Sequence, residues 1–203
     1  PTGDSTDALR FSRPFDPSST GGLLGEGAGI VMLESADTAA ARGARVHALL
    51  SGFGAAQSFP DYGDDDESYA YAIQAALADA GITANEIDAI VPLALGVAKV
   101  DTAEAAGLRR VFGPRLARIP LVTITPAVGN LVAGMGGLQA VVGALCIAAQ
   151  QLPARVHGTR PAPDLLAGAA PTAPANLRHV LVCSASQGGH NAAVVISRPD
   201  AAT

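Results

Sequence analysis

From Leu131 to Ala149 the chain carries no charged side chain, and Gly134, Gly136, Gly137 and Gly143 punctuate an otherwise largely aliphatic run. Few folds accept such a segment. A stretch of about 20 apolar residues can cross a bilayer as a helix, and glycines would let two such helices approach closely. Two features point instead to the interior of a layered protein. Gln139 sits mid-run, and no cluster of Lys or Arg flanks the run to anchor it at an interface. A helix apolar on every side is then one buried between two layers. Residues 131–150 are therefore expected to be that helix, with no membrane partner.

The rest of the chain alternates. Gly29–Glu34 (GIVMLE) reads as a short strand, and Ser35-Ala36-Asp37 opens a helix that Gly43 closes. Val46–Gly54 reads as the next strand, with Phe53 marking its inward end. Asp64, Asp65, Asp66 and Glu67 precede an amphipathic run, Ser68–Ala80, which stops at Gly81 as a glycine just past a helix end should. Ile87–Leu93 then reads as a strand, Asp101–Phe112 as a helix and Leu121–Ile124 as a strand. After the apolar helix comes a proline-rich connection, Pro153–Pro174; Val180–Cys183 and Ala192–Ile196 then form a hairpin about a short glycine-bearing turn. Alternation of this kind predicts a layered α/β fold, with 1–203 acting as a single domain.

Composition narrows the function. With 49% hydrophobic and 15% charged residues there is ample core material, and disorder is excluded as the overall state. A net charge of -5 and few aromatic residues leave no basic, stacking surface for nucleic acid. Cys146 and Cys183 lie far apart, each in an apolar run, which suits buried thiols in a reducing compartment, the cytoplasm. The chain opens on Pro1 with no basic-then-apolar leader, so its start reads as a processing, cloning or gene-split boundary. The acidic run at 64–67 lacks the spacing and glycine of a calcium loop and reads as a solvated helix N-terminus. Neither a metal nor a cofactor is expected.

Arg13-Pro14-Phe15-Asp16, followed by Gly22-Leu23-Leu24-Gly25-Glu26-Gly27-Ala28-Gly29, resembles the C-terminal half of β-ketoacyl synthases, whose pattern is RPFD, a spacer and GEGAG. A dinucleotide loop would set its glycines between strand and helix; these precede the strand. The resemblance continues through Asp101 and Glu104 at an acidic helix start, Gly129 and Gly136 in a glycine-rich turn, and Gly188-Gly189-His190-Asn191 as a closing GGxN hairpin. It implies a thiolase-like fold, in which two similar halves pack helices between two sheets. This chain would supply the C-terminal half: a five-stranded mixed sheet with a buried apolar helix, completed by a missing N-terminal half. That half would carry the nucleophilic cysteine, and would come from another polypeptide, a cleaved fragment or an omitted stretch.

In the family, two histidines stabilise the enolate and the thioester oxyanion, and a lysine orients one of them; removing one such donor costs about 3 kcal/mol of transition-state stabilisation. Counting back from Asp101, the first histidine falls on Leu93. The lysine falls on Thr125 and the second histidine on Asn130. Leucine donates nothing. An asparagine amide can donate one hydrogen bond but cannot shuttle a proton. No catalytic residue is therefore expected at these positions. The family's gating phenylalanine falls in the Gln187-Gly188-Gly189 loop, where polar Gln187 implies a changed pocket.

The other reactive side chains have plainer readings. His157-Gly158-Thr159 spells the family's HGT triplet but follows no strand. His47 and His179 read as structural or surface residues, and His190 as a residue that shapes the hairpin. Cys183 has no evident partner base and Cys146 lies within the apolar helix, so both read as core thiols.

The resemblance thus points to a non-elongating ketosynthase-like subunit, similar to a chain length factor. It would pair with an active ketosynthase and shape the tunnel for a chain delivered by acyl carrier protein, with Asn130, Gln187, Gly188 and Gly189 on the tunnel. One alternative is a catalytic acyltransferase or condensing enzyme with an altered site. Another is a structural fragment without acyl contact, whose pocket at Asn130 would be filled.

Overall fold

The computed structural model describes residues 12–58, 66–156, 161–186 and 188–200. Its elements are α1 (Ala36–Ala41), β1 (Leu49–Gln57), α2 (Asp66–Asp79), β2 (Ala89–Val91), α3 (Ala98–Phe112), α4 (Thr125–Val128), α5 (Met135–Ala149), β3 (Gln151–Leu152), β4 (Ala173–Pro174), β5 (His179–Ser186) and β6 (His190–Ser197). The main sheet has the order β1-β6-β5-β2, and β3 and β4 form a small ribbon. β6 is antiparallel to both β1 and β5, whereas β2 runs parallel to β5, so the sheet is mixed. The expected fifth strand is reduced to a bridge. Leu121 pairs with Ile90, through Ile90 N–H to Pro120 O (3.0 Å) and Val122 N–H to Ile90 O (2.7 Å).

Both faces of the sheet are covered, and the period-2 alternation of the strands sorts their side chains. Ile90, Leu181, Cys183 and Val195 join Ile73, Leu77, Leu108 and Phe112 in a core under α2 and α3. Ala89, Val91, Val180, Val182 and Ile196 face the other way and meet Cys146 and Ile147 of α5. Two glycines decide how α2 seats. A Cβ on Gly54 would lie 2.1 Å from Ala72 O, and one on Gly52 2.3 Å from Ala76 O, so the helix backbone rests directly on β1.

Those glycines correct the reading of Phe53. With Gly52 and Gly54 turned toward α2, Phe53 falls on the α5 side, opposite Val194, where it is 55% exposed. The apolar helix is also less enclosed than expected. Met135, Gln139, Gly143, Cys146 and Ile147 form one buried stripe, while Leu145 on another side is 56% exposed. By length and composition 132–149 could cross a membrane; in this fold it lies against one sheet, and among the described residues no second layer covers it.

The expected strand at Gly29–Glu34 does not enter the sheet. Glycines hold the ribbon before it against the helix start instead. A Cβ on Gly25 would meet Val128 O at 2.0 Å, one on Gly29 would meet the Gly137 carbonyl carbon at 2.4 Å, and one on Gly134 would meet Gly27 O at 2.3 Å. With that side committed to glycine contacts and no partner strand among the described residues, Ile30 and Met32 are each 92% exposed. α1 forms as expected, with Ser35 as its cap and Gly43 beyond its end at φ +66°.

Candidate functional site

The loop after β2 is the centre of the site, and two carboxylates hold it. Three residues apart on the first turns of α3, Asp101 and Glu104 point to the same side. Glu104 accepts the N–H groups of Leu93 and Ala94, each at 2.8 Å, and the Tyr69 hydroxyl. Asp101 accepts from Gly96 (3.1 Å) and from Phe15 (2.8 Å), tying the Arg13–Asp16 motif to the same loop. Non-glycine residues at positive φ mark both ends of this contact: Phe15 at 60° and Ala94 at 50°. Burial raises both acids, Asp101 to about 7, because a charge loses its hydration there.

Thr125 and Leu93 meet at this loop. The Thr125 hydroxyl donates to Leu93 O at 2.9 Å, and both residues are buried. The Leu93 side chain lies in an apolar cluster with Leu95, Val100, Leu131 and Met135, against which Ile124, Leu138 and Ala185 pack. Asn130, immediately before Leu131, is fixed by its backbone. Its N–H donates to Leu23 O (2.7 Å) and its carbonyl accepts from Gly25 N–H (3.0 Å), while its Oδ1 accepts from Val132 N–H (2.9 Å).

The hairpin turn belongs to a neighbouring part of the site. Gly188 and Gly189 adopt φ of 83° and 72°, Ser58 N–H donates to Gly189 O (3.1 Å), and Asn191 Nδ2 donates to Ser68 Oγ (2.7 Å). A cleft of about 420 Å³ opens beside the turn, lined by Ala55, Gln57, Ser184, Ser186, His190 and Ala192 among others. Ala185 lines this cleft and also packs on the Leu93 cluster, so it is the segment the two parts share. Gln187 lies outside the described residues, as do His157-Gly158-Thr159 and the acids at 64 and 65.

Among the described residues, the three imidazoles and the one ammonium have other surroundings. His179 pairs with Ser197 across the opposite end of the hairpin (2.8 Å), and burial lowers its pKa. His190 faces Gln57 (3.4 Å), His47 is exposed ahead of β1, and the single lysine, Lys99, is exposed on α3. Burial pushes the Cys183 thiol up and the Cys146 thiol up to about 11, so neither is a ready nucleophile. Among the described residues no group of His, Cys, Asp or Glu could hold a metal ion.

Gln139 is a central residue that no sequence motif marks. Its Nε2 donates to Pro92 O (2.7 Å) and Cys183 O (2.9 Å), joining the loop after β2 to the end of β5, and its Oε1 is buried without a partner. The available signal was its being the sole polar side chain between Met135 and Ala149.

A mixed sheet with helices on both faces, a glycine ribbon seated on a helix start and an acid-anchored loop define one half of a thiolase-like protein. Residues 46–159 match the family described as "Beta-ketoacyl synthase, C-terminal domain". The chain belongs to that family. It is 28% identical over 194 residues to 3-oxoacyl-[acyl-carrier-protein] synthase 2 of Staphylococcus aureus (strain COL), covering 93% of this chain and 47% of that protein. It superposes on "The ishigamide ketosynthase/chain length factor" with a TM-score of 0.87 and 31% identity, over 94% of this chain and 47% of the other. "AntDE:AntF (apo): type II PKS acyl-carrier protein in complex with its ketosynthase bound to the hexaketide" shares the fold, with a TM-score of 0.83 and 22% identity over 98% of this chain and 50% of the other. The chain thus spans about half the length of the relatives it matches.

Proposed function

We propose that this chain forms the C-terminal half of a non-elongating ketosynthase-like subunit, a chain length factor, acting as one domain in the cytoplasm. It pairs with an active ketosynthase and with the complementary half of its own fold, and it shapes the tunnel for an acyl chain carried by acyl carrier protein. One observation carries this reading. Glu104, Asp101 and Thr125 keep the loop after β2 in an ordered, buried arrangement, yet the side chains at the family's proton-handling positions are Leu93, Thr125 and Asn130. The scaffold persists where the chemistry does not. The likeness to a ketosynthase/chain length factor supports the role, and the carrier-protein complex of a fold relative supports the partner.

In this reading the action is steric. Asn130 and the Gly188-Gly189 turn border the chain's path, and the Leu93 cluster walls it. The rival reading, a condensing enzyme, draws on the name of the Staphylococcus aureus relative. It requires a donor at the enolate that leucine cannot supply. The test is reconstitution with the complementary half, an active ketosynthase and carrier protein. Asn130→His is expected to leave malonyl decarboxylation by this subunit at background, because Leu93 and Thr125 remain. Leu138→Phe is expected to shorten the products. Decarboxylation by the single variant supports the rival, and unchanged products from an intact Leu138→Phe assembly overturn the tunnel role.

A further inference from the structure

Gln139 lies on the buried stripe of α5, and the helix beside it is seated without slack. One turn further on, a Cβ on Gly143 would come within 2.9 Å of Val182 Cγ2 and 3.0 Å of Ile196 Cδ1. The side chain is fully buried, and its Nε2 donates to Pro92 O (2.7 Å) and to Cys183 O (2.9 Å) while Oε1 has no partner. Turning the amide over would set Oε1 against both carbonyls and satisfy nothing. A stranded acceptor is costly in a dry interior, and a methionine would fill similar space without one. The residue is therefore kept for its two donors.

The two carbonyls belong to different parts of the site. Pro92 O opens the loop whose Leu93 and Ala94 N–H groups are held by Glu104 and whose Leu93 O is held by Thr125. Cys183 O lies two residues before Ala185, which lines the cleft beside the hairpin turn and packs on the Leu93 cluster. We infer that Gln139 is a positioning residue that locks the loop after β2 to the turn-side end of β5, so that the Leu93 cluster and the cleft are held as one unit. The lock requires a neutral double donor. A hydrocarbon at 139 removes both bonds, and a carboxylate sets a negative charge against two carbonyl oxygens. It stands whether or not an acyl chain passes the site.

The experiment is amide hydrogen exchange of the assembled protein, read as protection factors for residues 93–96 and 184–186, with residues 194–196 of β6 as the control. Gln139→Met is expected to lower protection of both segments about thirtyfold, the worth of two neutral hydrogen bonds, and to leave the control unchanged. Gln139→Glu should lose about fivefold at pH 5, where the neutral acid still donates once, and the loss should grow as pH rises to 9 and the buried carboxyl ionises. Asp101 and Glu104 of α3, Tyr69 of α2 and Cys183 of β5 are common to all variants, so the ratio to wild type removes their titration. A residue that merely filled the core would show no such growth. Wild-type protection in Gln139→Met, or a loss confined to one segment, overturns the lock. If Gln139→Met does not assemble, the Gln139→Glu profile decides: a loss that grows with pH in both segments supports the lock, and a profile parallel to wild type from pH 5 to pH 9 overturns it. Neither result touches the tunnel role, which the product lengths decide.

Discussion

Glu104→Ala isolates the interaction on which the site loop depends. The carboxylate serves Leu93 N–H, Ala94 N–H and the Tyr69 hydroxyl, and Leu93, Ala94 and Tyr69 are each 3% exposed or less. Removing it leaves three buried donors without an acceptor, each costing about 1–3 kcal/mol. Relief of an unfavourably buried carboxylate offsets part of that, since burial already raises the Glu104 pKa. A net loss of about 3 kcal/mol remains, set against a whole-domain stability of about 5–15 kcal/mol. Glu104→Gln keeps one acceptor but turns an NH2 group toward another donor, and should fall about midway. The assay is the urea midpoint of the assembled protein, with Tyr69→Phe alone and combined to isolate the hydroxyl's share. If Glu104→Ala lies within about 0.5 kcal/mol of wild type, the range of an ordinary surface substitution, the carboxylate is not what holds the loop.

Gly54→Ala places a Cβ about where Ala72 O already lies at 2.1 Å, so α2 must lift from β1; a large drop in melting temperature or soluble yield is expected, and a wild-type melt would refute the seating. Asp101 titrates at about 7 when folded against an ordinary 3.8, so the folded state holds the extra proton between these values and stability falls as pH rises through that window. Denaturation midpoints should therefore decline from pH 5 to pH 8, and Asp101→Asn should flatten the decline. Purified alone, the chain should aggregate, because Ile30, Met32 and Leu145 are all exposed; a stable monomer in size-exclusion chromatography with light scattering would contradict this.

The elements readable from sequence are those whose signal is local. Ser35 and Gly43 bound α1, Gly81 follows α2, and the apolar runs about the Gly188-Gly189 turn pair as β5 and β6. Where the reading failed, the deciding partner was remote. GIVMLE has strand composition, but a strand exists only through its neighbours, and Gly25, Gly27 and Gly29 commit that ribbon to the turn before α5 and to its first residues. Phe53 looked inward because aromatic residues usually do. Its direction is set by Gly52 and Gly54 on either side, and their purpose is visible only once α2 is in place.

The site shows the same division between what spacing carries and what it does not. The family resemblance assigned Leu93 and Thr125 to one site, where the Thr125 hydroxyl meets Leu93 O, and the i, i+3 interval of Asp101 and Glu104 sets both acids on one side of α3. What those acids do was not legible, because their partners are backbone N–H groups, which every residue possesses and no side-chain pattern advertises. Gln139 was hidden for the same reason: it bonds two carbonyls, Pro92 O and Cys183 O, that leave no trace in composition. The residue types at Leu93, Thr125 and Asn130, by contrast, can be read directly. In a site of this kind the side chains are therefore easier to recognise from sequence than the backbone contacts that keep its loops in place.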